Sequence, residues 1–137
     1  MAVFNKYQSG VTILVTTANA STDGFKLALT NAAPNAATHT VLADITQISA
    51  GNGYSAGGSS VAVTASSATG VYTLTQDATI TLTAAGGTIG PFRYVVFYDD
   101  TVASDPLLSF FDYGSSITLN DTETFAMGAN ATLFTVT

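Results

Sequence analysis

Residues 91–113 read PFRYVVFYDDTVASDPLLSFFDY, two aromatic-rich runs on either side of an aspartate-rich loop. β-Branched and aromatic residues in runs of this length favour extended chain. The Asp residues and Pro106 between them supply turn chemistry. The stretch therefore predicts an antiparallel hairpin with strands at 91–98 and 107–113. If Tyr98 faces Leu107, one side pairs Arg93 with Asp112, Val95 with Phe110 and Phe97 with Leu108. The other side pairs Phe92 with Tyr113, Tyr94 with Phe111 and Val96 with Ser109. Neither side is wet, whereas a surface hairpin alternates apolar and polar faces. One face must lie on a core. The second needs its own cover from a loop, the N-terminal segment or a neighbouring subunit, because large bare apolar patches mark interaction sites.

The rest of the chain repeats the extended signal at short intervals. Period-two runs rich in Thr, Val and Ile occur at about 11–17, 25–30, 39–48, 60–65, 70–75, 78–83, 116–120, 124–128 and 131–136. Gly, Asn and Ser punctuate them, and SAGNGYSAGGSS at 49–60 is an exposed loop. No stretch keeps apolar residues at helical spacing. The expected fold is an all-β antiparallel sandwich, jelly-roll-like, in a single domain spanning 1–137. Residues 1–20 serve as an N-terminal arm or edge strand.

Charge narrows the function classes. Of 137 residues only nine are acidic and three are Lys or Arg, giving a net charge of -6. Lys6, Lys26 and Arg93 are too few and too scattered for the phosphate contacts that nucleic-acid affinity requires. Neither nucleic acid nor an anionic membrane is an expected partner. MAVFNKYQSG is not a secretory signal, and VTILVTTANA is too short and Thr-rich to span a bilayer, so synthesis in a cytoplasm is expected. Without cysteine, disulfides and Cys-based metal sites are excluded. The sequons at Asn120 and Asn130 count only as turn chemistry.

Candidate chemistry is sparse. Arg93 and Asp112 form a structural cross-strand ion pair. Asp99, Asp100 and Asp105 are loop aspartates bonding their own backbone; DDTVASD lacks the ligand spacing of a calcium loop, and no metal or cofactor is expected. His39 is the sole histidine, and Asp44 falls on the opposite strand face, so no nucleophilic triad forms. Glu123 sits in the turn NDTE. No enzymatic activity is expected.

Several segments together carry a resemblance: FNKYQ, FKLALTNAAPNAATHTVLADITQI, GNGYSAGG, GPFRYVVFYDD and DPLLSFFDYGSSITLNDTETF. From about residue 4 to 126 the chain resembles small proteins encoded in structural modules of tailed bacteriophages, similar to capsid decoration (cement) proteins. The resemblance implies a β-sandwich on the outer capsid surface of the virion, made in the host cytoplasm and tying major capsid protein subunits together. In one place the chain departs from those relatives: after KYQ they are more helical and charged, whereas SGVTILVTTANASTDG reads here as a strand.

Two functions follow as expectations. In the first, the protein binds major capsid protein as a homo-oligomer, dimer or trimer. Its contact surface is the second hairpin face with the N-terminal arm: Phe92, Tyr94, Val96, Tyr98, Phe111, Tyr113, Phe4 and Tyr7. In the alternative, it is a tail or fibre module that stacks a host glycan on Tyr54 and Tyr98 beside Asp99 and Asp100.

Overall fold

The computed structural model describes residues 4–16, 19, 22–127 and 132–137. The remainder of the expected arm, the ends of the runs at 17, 128 and 131, and the Asn130 sequon lie outside them. In chain order the elements are β1 (Phe4–Lys6), α1 (Gln8–Thr16), β2 (Phe25–Thr30), a 3-10 turn (Leu42–Asp44), β3 (Ser59–Val61) and β4 (Val63–Ala68). They continue with β5 (Val71–Gln76), β6 (Ile80–Thr83), β7 (Ile89–Asp99), β8 (Leu107–Leu119), β9 (Thr124–Met127) and β10 (Thr132–Val136). The strands form a five-stranded sheet in the order β1-β8-β7-β2-β3, a three-stranded sheet β10-β5-β4 and a two-stranded sheet β6-β9, all antiparallel. The all-β sandwich expected from the alternation is what the chain forms.

The hairpin of the two aromatic runs is the spine of the large sheet. β2 pairs along its β7 side from Phe25↔Asp99 to Thr30↔Tyr94. Its register differs from the simple one. Tyr98 faces Leu107, but Phe97 then faces Ser109, so Leu108 is one residue too many on β8 and every later pair is displaced. Asp112 stands opposite Tyr94. A second irregularity follows between Tyr94↔Asp112 and Phe92↔Ile117, where Gly114 takes φ 86°. Bulges of this kind let a long strand twist over a small core. They also carry β8 past the expected break at 114–115, merging two expected strands into one.

The main core lies between the sheets. Phe25, Leu27 and Leu29 of β2 meet Val95, Phe97, Leu108 and Phe111 of the hairpin. Leu74 and Phe134 of the smaller sheet close it. Phe25 and Phe97 stack at 5.3 Å, and Phe92 meets Phe125 edge-on at 5.0 Å.

Two expected strands are not strands. Residues 11–16 belong to α1 instead, despite their β-branched composition. Gly10 makes this possible: a Cβ there would stand 2.7 Å from the Leu108 carbonyl oxygen, so only glycine lets the helix lie directly on the β8 backbone. Gln8 N–H is tied to the Ala36 carbonyl, and Tyr7 is fully buried. Tertiary packing outweighs the weak local preference here. Residues 39–48 likewise fold as a turn. Asp44 draws the backbone N–H groups of Thr40 (2.8 Å) and Val41 (3.2 Å) onto one carboxylate oxygen, which bends the chain away from extended geometry. Only the isolated bridges Thr30↔Gln47 and Val41↔Pro106 remain of that strand.

Candidate functional site

The ion pair around which the hairpin was read does form. Arg93 donates from Nε to Asp112 Oδ1 at 2.7 Å and from Nη2 to Oδ2 at 3.0 Å. It forms on a diagonal, because the bulge moves Asp112 opposite Tyr94. The guanidinium also lies 5.2 Å over the Tyr94 ring, and Asp112 Oδ1 accepts the Gly114 N–H. The guanidinium's hydrogen bonds hold the Asp112 carboxyl below its usual range. These two guanidinium donors and the Gly114 N–H all converge on Asp112, so the pair ties the bulged stretch of β8 to β7.

The second hairpin face is covered by this same chain. Val96, Tyr98 and Leu107 form a second apolar cluster with Tyr7, which precedes α1, and Ile45, which follows the turn at 42–44. Leu42 and Phe110 pack at its margin, and Tyr7 meets Phe110 at 5.3 Å. This corrects the expected contact surface. Tyr7, Phe92, Val96, Tyr98 and Phe111 are at most 1% exposed, and Tyr94 is 7% exposed. Phe4 and Tyr113 are half-buried against the main core. Tyr7, in the expected arm, and Leu42 and Ile45, in the expected strand at 39–48, supply the cover that a neighbour was expected to provide.

The glycan candidates are also enclosed. Tyr54 is 3% exposed and gives its hydroxyl to Gln47 while accepting the Leu29 N–H. Tyr98 donates its hydroxyl to the Gly57 carbonyl at 2.5 Å. Neither ring offers a stacking face to solvent.

The aspartate loop resolves into separate duties. Asp100 pairs with Lys26 across the β2–β7 junction at 3.4 Å. Asp105 takes a positive φ of 53° in the turn that precedes Pro106. Asp99 is different: it is fully buried. Its Oδ1 accepts the N–H groups of Thr101 (2.8 Å) and Val102 (3.1 Å). Its other oxygen lies at the buried side of the turn facing Asp23, whose own carboxylate accepts the Asn19 N–H at 2.9 Å. Burial first, and the neighbouring Asp23 carboxyl second, push the Asp99 carboxyl up to about 6, while Asp23 is held below its usual value. Asp23 was missed by sequence reasoning. Only the pairing of Phe25 with Asp99 brings the residues before β2 to the end of β7, and no local motif announces it. Among the described residues no three His, Cys, Asp or Glu side chains gather as a metal site.

The remaining titratable candidates serve their own turns. His39 Nδ1 accepts the Asn35 N–H, Glu123 accepts the Asn120 N–H, and Asp121 accepts the Gly86 N–H. His39 and Asp44 are not opposed across a strand; both sit in the 35–45 turn. Among the described residues no helix is long and apolar enough to cross a membrane.

The exposed acids Asp77, Asp121 and Glu123 lie beside β4, β6 and β9, while these strands themselves carry no charge. The exposed side chains of β4, β6 and β9 include Thr64, Ser66, Ser67, Thr81, Thr83 and Thr124. Comparison of the chain with protein-family models, curated proteins and solved structures finds no match in any of the three.

Proposed function

We propose that the protein is a virion structural component, a decoration protein that attaches in many copies to the outer capsid surface of a tailed bacteriophage and stabilises contacts between major capsid protein subunits. The observation that supports this reading best is the nature of the open strands: hydroxyl and methyl groups with no charge along β4, β6 or β9. Burying such surfaces costs less than burying charge, provided each hydroxyl finds a hydrogen-bond partner across the contact. The segment resemblance to phage structural-module proteins supports the reading independently.

The attachment surface in this reading is the Thr- and Ser-lined strands. The aromatic hairpin is the rigid spine that presents them. Modest contacts suffice because they are multiplied over a lattice, and binding only the assembled shell raises the free energy of opening it. The chain acts through contact and performs no reaction.

Quantitative mass spectrometry of purified particles tests this. A decoration protein is present in copy numbers comparable to the major capsid protein. Absence from particles, or a handful of copies that purify with isolated tails, overturns the proposal.

A further inference from the structure

Edge strands are usually blunted by charge, proline, bulges or brevity, because their free N–H and C=O groups template association with another chain. β4 has none of these devices. It runs six residues, VTASSA, pairs with β5 without a register shift, and is the outer strand of its sheet. Among the described residues it is the longest strand at a sheet edge.

Which backbone groups face outward follows from the hairpin that joins β4 to β5. Its loop is Thr69–Gly70, with φ of 51° and 81°, a two-residue type I′ turn. Such a turn makes Ala68 and Val71 a hydrogen-bonded pair, so Ala68, Ser66 and Thr64 direct their backbone groups toward β5. The bond from Asp77 N–H to the Ala62 carbonyl, 2.9 Å, continues the same alternation. Val63, Ala65 and Ser67 therefore point their N–H and C=O groups away from the sheet.

We propose that β4 pairs with β4 of a second copy, antiparallel and edge to edge, with Ala65 on the two-fold axis. An isologous interface requires a patch complementary to itself, and this strand is. With Ala65 facing Ala65, Val63 faces Ser67 of the second copy and Ser67 faces Val63, so all three outward residues on each side exchange both hydrogen bonds. Between them Thr64 stands beside Ser66 of the second copy, a hydroxyl pair that suits adjacent strands. Alanine fits the crowded axial position. In a chain of net charge -6, the strand brings no acid to meet its symmetry mate. Asp77, the acid beside it, accepts from Thr64 Oγ1 at 2.5 Å and belongs to the β5 side. The pairing joins two three-stranded sheets into one of six strands. It rests on the strand's geometry and not on the virion reading, so the two can fail separately.

The absence of cysteine makes the register directly testable. In the proposed pairing the two Ala65 Cα atoms are about 5.5 Å apart, within disulfide reach, whereas two Ser67 Cα atoms are about 13 Å apart and beyond it. Mild oxidation should convert Ala65→Cys to a covalent dimer and leave Ser67→Cys monomeric. Ala65→Pro removes only an outward N–H, so it should retain the native circular dichroism and sediment as a monomer where the unaltered chain sediments as a dimer. A monomeric unaltered chain, a dimer that survives Ala65→Pro, or equal crosslinking of both cysteine variants overturns the proposal.

Discussion

Replacing Asp99 by Asn isolates the buried carboxyl at the head of the hairpin. Asn keeps the oxygen that accepts from Thr101 and Val102 and offers Asp23 an N–H where the protonated carboxyl offers an O–H. The variant is thus a permanent copy of the protonated state. Because the Asp99 pKa is raised from 3.8 to about 6 on folding, its contribution to stability is fully present below about pH 4 and is lost as pH rises through 6. Asp23, shifted the opposite way, contributes above its ordinary value and loses that contribution only in stronger acid. Lys26, Asp100 and Asp105 are the other charges around the site, and none is altered by the substitution. Two pKa units at ~1.4 kcal/mol each bring the cost of ionising Asp99 to about 2–3 kcal/mol. Urea unfolding from about pH 4 to about pH 8 should show Asp99→Asn equal to the unaltered protein in acid and more stable by about 2 kcal/mol at the alkaline end. A difference that does not change with pH, or a variant less stable at pH 8, refutes the description of Asp99 as a buried carboxyl that resists ionisation.

Other substitutions test other parts of the account. Val96→Asp places a charge in the fully enclosed second cluster, and a loss of about 4 kcal/mol or more in denaturant unfolding is expected, with failure to fold as its extreme; a stably folded variant altered only in association would show that this face is open. Gly10→Ala drives a methyl group into the Leu108 carbonyl and should lower stability by about 1–3 kcal/mol in the same measurement, although alanine is the better helix former. Thr69 holds a positive φ that a β-branched side chain resists, so Thr69→Asn, which creates the favoured Asn-Gly turn, should raise stability by about 0.5–1 kcal/mol. Arg93→Met should leave the melting temperature nearly unchanged at high salt, since both partners are partly exposed.

Local alternation was enough to find β2 at 25–30 and the two hairpin runs, because their side chains are buried by near neighbours in a regular ladder. The observation that both hairpin faces are apolar was equally sound, and both are covered. Its owner was misjudged. The cover comes from Tyr7, Leu42 and Ile45, whose segments carry a strand-like composition but are turned by Gly10 packing on β8 and by the Asp44 cap. Those causes are tertiary or lie in one hydrogen-bonding side chain, and a period-two count does not register them. The one-residue slip at Leu108 is of the same kind: the bulge exists to fit β8 to the curvature of the sheet. The expected run at 60–65 joins β3 to the start of β4, and it stops short of Ala68 because Ser66, Ser67 and Ala68 have weak strand preferences and Thr-Gly is a poor turn signal. The Asp23–Asp99 contact depends on the pairing of β2 with β7, 74 residues apart at its first pair, Phe25↔Asp99.

Electron cryo-microscopy of intact particles tests the central claim most directly, because it shows what touches what in the assembled state. The expected map shows a sandwich whose Val96, Tyr98 and Leu107 lie beneath Tyr7 and Ile45 of their own chain, with neighbouring subunits against the uncharged strands. Density in which α1 and residues 31–48 have swung away and a neighbour fills the aromatic face would contradict it.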